Sequence, residues 1–250
     1  MIGFAAATLS LCVAAADADR SSDAFDKPVS KQVIPLPADP DNPQAKAKRS
    51  CFNYPGFTVK EVDLGEVGAD TLAIIPISTG KKEPLCEQKT GSEFVIKRDD
   101  WSGYFAGTKG NFVFFDADDG LQGGMPFAVF SGKTGKKLFE DSRLGDNFTS
   151  IASSGDGLVL RYKRVYLAPC PLFADSKACW KKITAATALA DATPPDCSEA
   201  YEKEMKRTPK FAQAVRRGNT VIGYNVEARY AGGKPTFAPL PGRTTCWLED

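Results

Sequence analysis

The side chains that most enzymes use for acid–base or nucleophilic chemistry are unevenly represented in this 250-residue chain. It contains no histidine, which excludes Ser-His-Asp and Cys-His catalysis and histidine-ligated zinc, copper or haem. Any catalyst would have to use carboxylates, lysine, tyrosine, serine with lysine, or a metal with oxygen ligands. The composition therefore favours a protein that is not an enzyme.

Asp116-Ala117-Asp118-Asp119-Gly120 is the densest cluster of metal-binding side chains in the sequence. Alternate carboxylates in a glycine-containing loop can converge on Ca²⁺, which prefers oxygen ligands. Asp116, Asp118 and Asp119 are therefore candidate calcium ligands, and no other cofactor is expected. The alternative is a solvated turn, because aspartate and glycine favour turns for local reasons.

The same carboxylates, together with Glu140 and Asp141, are the only plausible source of a carboxylate pair for acid–base hydrolysis of a glycan. Such chemistry needs two carboxyl groups at a fixed separation, one of them in an apolar setting. A carboxylate-dependent hydrolase is thus the alternative function, although the sequence gives no sign of that separation.

Seven cysteines are present, none of them in a C-x-x-C arrangement, so zinc-ribbon and thioredoxin-like sites are not supported. Six follow the N-terminal apolar run: Cys51, Cys86, Cys170, Cys179, Cys197 and Cys246. An even number in an exported chain predicts a disulfide framework. If all six pair, one of the three between residues 170 and 197 must bond outside that segment; the remaining connectivity is open.

The N-terminal segment predicts export. Ile2 to Ala16 is apolar and uncharged and ends in three alanines before Asp17. This pattern is typical of a cleaved signal peptide, residues 1–16, and is too short for a membrane span. The alternative is a buried N-terminal helix. We expect a periplasmic or secreted protein whose mature chain has no transmembrane segment.

Residues 17–50 contain five prolines among Asp, Lys and Ala, with Phe25 as the only aromatic residue. Such a composition buries too little apolar surface to offset the entropy of ordering. The sequence therefore predicts a flexible leader, followed by a single β-rich domain over residues 51–250.

Short runs of β-branched and aromatic residues, bounded by Gly, Pro or Asp, dominate that domain and predict strands. Thr220 to Tyr230 alternates most clearly between apolar and polar residues. Segments 131–135 and 153–157 contain glycines and predict hairpin loops. The expected fold is mainly β, an antiparallel sandwich or barrel with a helical insertion; α+β is the alternative.

The helical insertion is predicted at about residues 172–217. Ser176 to Ala190 has helical spacing, and Asp196 with Glu199 predicts the start of a further helix. Pro209 predicts a kink or a new start.

The insertion is also the basic part of a chain whose net charge is only +1. Residues 161–217 hold 12 Lys and Arg against 6 Asp and Glu, whereas residues 51–160 hold 11 against 16. A basic helix can bind an anionic partner, such as an envelope polymer or an acidic protein face. The candidate partner-binding residues are Lys203, Lys206, Arg207, Lys210, Arg216 and Arg217. The alternative is an exposed helix whose charges only keep it soluble.

Taken together, these features predict an exported, disulfide-stabilised, non-catalytic protein that binds a macromolecular or cell-surface partner. Nucleic acid is not expected as that partner, because no binding module for it is present. The oligomeric state and the partner's identity are left open.

Overall fold

The computed structural model describes residues 24–37, 42–44, 46–78, 86–87, 89, 91–173, 176–187, 189 and 193–249. The predicted signal peptide lies outside these residues. Within them the chain forms fourteen strands, three α-helices and one 3-10 turn. In chain order these are β1 (Ser30–Pro35), β2 (Lys48–Tyr54), β3 (Phe57–Asp63), β4 (Thr71–Pro76), β5 (Phe94–Ile96), β6 (Gly103–Lys109), β7 (Phe112–Ala117), β8 (Met125–Ser131), β9 (Lys137–Arg143), β10 (Ser150–Ser154), β11 (Gly157–Leu167), α1 (Ser176–Ala186), α2 (Ser198–Arg207), the 3-10 turn (Pro209–Phe211), α3 (Ala212–Arg217), β12 (Thr220–Tyr230), β13 (Thr236–Pro239) and β14 (Thr245–Leu248).

The strands form two antiparallel sheets. β1 to β5 make a five-stranded sheet in chain order. The larger sheet has the order β13-β12-β11-β9-β8-β7-β6, with β10 beside β11 and β14 beside β12. The prediction of a mainly antiparallel β fold with a helical insertion is confirmed, since every helix among the described residues lies between β11 and β12.

The larger sheet curls over itself. β7 and β12 are separated by three strands, which corresponds to roughly 19 Å in a flat sheet. The rings of Phe112 on β7 and Tyr230 on β12 are nevertheless only 6.2 Å apart. No pairing among the described strands joins β6 back to the other end, so the sheet does not close into a barrel. The layering is that of a sandwich.

Two hydrophobic cores share the strands β7 and β8. Phe114 and Phe127 face the inside of the curled sheet, where they pack with Tyr162 and Phe148. The alternate residues, such as Phe115, face the five-stranded sheet. Because both faces are buried, these strands are nearly continuous runs of apolar residues rather than alternating ones.

The structure differs from the predicted flexible leader. Within residues 17–50 it has β1 and the start of β2, which pair with each other. The Phe25 ring contacts Phe114 and fills the space left by Gly107, where a Cβ would come within 2.5 Å of the ring. Composition alone does not predict this order, because strand pairing satisfies the backbone without burying many apolar side chains. The folded domain therefore begins before Cys51.

The insertion is built largely as predicted. α1 ends at Ala186, before the expected Ala190. At the start of α2 the carboxylate of Asp196 accepts a 2.9 Å hydrogen bond from the Ser198 N–H. Pro209 opens a new turn, and α3 ends at Arg217. No helix among the described residues is long and apolar enough to cross a membrane.

Candidate functional site

A groove of about 1000 Å³ lies between α2 and the C-terminal segment that contains β14. One wall is the residues from Thr193 to Arg207 that face the groove, and the other is Gly242 to Leu248. The two walls are linked covalently, since Cys197 at the start of α2 is bonded to Cys246 in β14. The buried Tyr201 also anchors α2, because its hydroxyl donates to the Gly218 carbonyl at 2.8 Å. The groove is therefore held open between two fixed elements.

Three disulfides are formed, and all six predicted cysteines take part. Cys51 is bonded to Cys86 and Cys170 to Cys179, while Cys197 is the member of the 170–197 group that bonds outside it. The framework prediction is confirmed. Three disulfides indicate an oxidising, extracytoplasmic environment.

The α2 wall of the groove changes charge along its length. Glu199, Lys203 and Arg207 are spaced four residues apart, so they lie on one face of the helix. Glu204 accepts two 2.8 Å hydrogen bonds from Arg207, and these bonds lower the pKa of the Glu204 carboxyl. The wall is thus acidic near the first turn of α2 and basic toward its last turn.

The opposite wall presents Arg243 and Trp247. The Trp247 indole N–H donates to the Gln122 carbonyl at 2.9 Å, which fixes the ring. Gly123, with a φ of 75°, leaves room for it, since a Cβ there would lie 3.0 Å from the indole nitrogen. Within the described part of the chain, neither Arg243 nor Lys203 forms an ion pair.

The six predicted partner-binding residues are divided by the structure. Lys203 and Arg207 line the groove, whereas Lys206, Lys210, Arg216 and Arg217 lie outside it and are exposed. The guanidinium of Arg216 lies 5.7 Å from the centre of the Phe173 ring. The Phe211 side chain, which follows Lys210 in the chain, is 66% exposed. Exposed basic residues thus flank an exposed aromatic residue along the chain, and two of the six line the groove.

The three predicted calcium ligands accept hydrogen bonds from different groups. Both oxygens of Asp116 accept hydrogen bonds from Arg143, at 2.7 and 2.8 Å. Asp118 accepts one from the Ser102 hydroxyl, and Asp119 one from the N–H of Gly120. Among the described residues, no group of three or more acidic or cysteine side chains is arranged to hold a metal ion.

The carboxylates suggested for hydrolysis do not converge either. Glu140 and Asp141 are neighbours on β9, so their side chains point to opposite faces of the sheet. Glu140 pairs with Lys137, while the Asp141 side chain is 8% exposed and accepts hydrogen bonds from Tyr162 and Arg164. Burial raises the pKa of Asp141, against the opposing effect of Arg164. None of these carboxylates lines the groove.

Sequence reasoning missed the β14 wall of the groove. Arg243 and Trp247 lie in a short polar stretch without a strand pattern, and they meet α2 only through the tertiary fold. Cys246 was the one signal that this stretch is held to another element.

Comparison of the chain with protein-family models, with curated proteins and with solved structures found no significant match. We therefore infer the function from the groove and the surface around it.

Proposed function

We propose that this is an exported, non-catalytic binding protein, and that the face formed by α2, α3 and β14 contacts a macromolecular partner. The observation that carries the proposal is the groove between α2 and β14. Its walls are fixed by a disulfide, and it is lined by charged side chains and a tryptophan. Binding sites on other proteins are commonly enriched in Trp and Arg in this way.

The surroundings of the groove support the same function. Lys206 on α2, Lys210 in the 3-10 turn and Arg217 on α3 are exposed, and so is the apolar ring of Phe211. Long-range attraction by such a basic surface speeds the encounter with an anionic partner, while a buried aromatic contact strengthens the complex. A partner with acidic groups around an extended contact would fit this face.

The experiment is position-specific photo-crosslinking in cells that export the protein. A benzophenone amino acid replaces Thr244, which lines the groove, or Lys181, an exposed residue of α1 outside it. We expect a discrete high-mass adduct from position 244 but not from position 181. The charge reversal Lys203→Glu should weaken that adduct, since it alters the groove without disturbing a described ion pair.

Adducts of equal intensity from both positions, or none from position 244, would contradict the proposal. Adducts that are unchanged by Lys203→Glu and by the triple reversal of Lys206, Arg207 and Lys210 would show that this face is not the contact.

A further inference from the structure

Among the strands that the structure describes, β14 has a neighbour on one edge only, which is β12. β14 pairs with β12 in the register Val221–Trp247 and Gly223–Thr245. The N–H of Glu249 donates to the carbonyl of Asn219, which continues the same register by one pair. In antiparallel sheets only alternate residues bond to a given neighbour. Thr245 and Trp247 therefore bond to β12, whereas Cys246 and Leu248 direct their N–H and C=O groups away from it.

The bonding of β12 on its other side supports this assignment. The N–H of Ala168 donates to the carbonyl of Thr220, so the even-numbered residues of β12 bond to β11. The odd-numbered residues are left for the opposite side, where Asn225 accepts from Leu240. Both observations therefore agree that the odd-numbered residues of β12 bond on the side where β14 lies. The outward groups of Cys246 and Leu248 have no hydrogen-bond partner in the part of the chain that the structure describes.

The free edge of β14 belongs to the groove, because Thr245 to Leu248 form one of its walls and α2 forms the other. A strand edge flanked by a helix is a geometry in which an extended peptide can add to a sheet. Main-chain hydrogen bonds supply the affinity in this mode, and the flanking wall selects side chains.

The charges on α2 fit the repeat of an extended chain. Glu199 and Lys203 are separated by four residues, which is about 6 Å along a helix. Two residues of a strand span roughly 6.7 Å and return to the same face. A peptide lying along the groove can thus place one side chain near Glu199 and the next but one near Lys203.

We propose that the groove binds an extended segment of a partner protein. This segment adds as a strand to the outer edge of β14 and places a basic and an acidic side chain, two residues apart, against Glu199 and Lys203. The inference rests on the proposed function and names the chemistry of its partner. Trp247 and Arg243 form the wall opposite α2.

The test uses the oxidised protein and an array of ten-residue peptides in which Lys and Asp are two residues apart, in both orders. The same peptides made from D-amino acids are the control. We expect selective binding of L-peptides in one order, measured in solution by fluorescence anisotropy. Methylating successive backbone nitrogens of the best peptide should weaken binding at every second position, because only alternate amides face β14.

Two protein variants test the edge itself. Leu248→Pro removes the outward N–H while leaving the bonds to β12 in place, and edge strands tolerate such a proline. Leu248→Ala loses the same side chain but keeps the N–H, so it is the matched control. We expect the proline variant to bind the peptide about tenfold more weakly than the alanine variant.

The exchange Glu199→Lys with Lys203→Glu should reverse the preferred order of Lys and Asp in the peptide. The inference is overturned if no L-peptide binds better than its D-form, if methylation shows no alternation, or if the preferred order survives the exchange. The methylation result needs only the unaltered protein, so it decides even if a variant fails to fold. A groove-specific cross-link without peptide binding would overturn this inference but leave the proposed function intact.

Discussion

Arg143 is a costly side chain to bury, and the structure shows how its charge is compensated. It is 1% exposed, forms a bidentate ion pair with Asp116, and lies over the Phe148 ring at 4.7 Å. Asp116 keeps about a quarter of its side-chain surface in contact with solvent. Removal of Asp116 would leave the charge of Arg143 buried without a counter-charge, whereas removal of Arg143 would leave Asp116 in contact with solvent.

We expect Asp116→Ala to destabilise the protein by about 3–5 kcal/mol, because it leaves the guanidinium of Arg143 buried and unpaired. Arg143→Met should cost less, since the carboxylate of Asp116 can be hydrated. Urea unfolding followed by tryptophan fluorescence measures both. Lys133→Ala is the control, because its pair with Asp156 is exposed and should contribute less than about 1 kcal/mol. The reverse order for the two core variants would contradict this account.

Glu61 gives a pH-dependent prediction. It is 8% exposed, its carboxylate accepts a 2.7 Å hydrogen bond from the Phe105 N–H, and burial raises its pKa above the ordinary 4.5. A raised pKa means that the folded state holds the proton more tightly than the unfolded state. The contribution of Glu61 to stability therefore falls as the pH rises through the window that begins near 4.5.

Glu61→Gln removes this titration and keeps an oxygen for the Phe105 N–H. We expect the variant to be more stable than the parent at pH 7 and the difference to shrink toward pH 4.5, as measured by thermal unfolding across that range. Glu140→Gln, an exposed carboxylate on β9, is the matched control. A difference that grows on acidification would show that the sign is wrong.

At the scale of elements, the three disulfides close loops of different lengths. Cys197 and Cys246 are 49 residues apart, whereas Cys170 and Cys179 are 9 apart. In the chain-entropy description a longer loop restricts the unfolded state more. The Cys197–Cys246 bond also joins α2 to β14, so it holds together both walls of the groove.

We expect replacement of Cys197 and Cys246 by serine to cost about 1.5 kcal/mol more than replacement of Cys170 and Cys179, from loop length alone. Hydrogen exchange should also quicken in β14 and the first turn of α2 in the former variant, but not in the latter. Equal costs with unchanged exchange at β14 would mean that the bond does not hold the groove walls together.

At the scale of the whole molecule, export and the sulfur bonds can be tested together. We expect the mature protein to begin at Asp17, as read by N-terminal sequencing of the exported material. It should then take up no alkylating reagent before reduction and six equivalents after it, since the three bonds use six cysteines. A seventh labelled thiol, from Cys12, would show that the leader is retained.

Features that depend on local pattern and covalent chemistry were predicted correctly from the amino-acid sequence. The alternation in Thr220–Tyr230 fixed β12, the glycine-containing segments 131–135 and 153–157 lie between paired strands, and six cysteines implied the framework. Pro209 predicted the new start that the structure has after α2. These succeed because a period of two, a proline ring or a positive φ acts within a few residues.

The contacts between residues that are distant in the chain could not be predicted and depend on how the strands and helices pack. The pairing of β1 with β2, the ion pair between Asp116 and Arg143, and the groove between α2 and β14 each join segments whose contact no local pattern specifies. The composition of residues 17–50 predicted a flexible leader, because the number of apolar side chains takes no account of backbone pairing. The carboxylates of Asp116, Asp118 and Asp119 are oriented separately, because they accept from Arg143 on β9, from the Ser102 hydroxyl and from the Gly120 N–H, respectively.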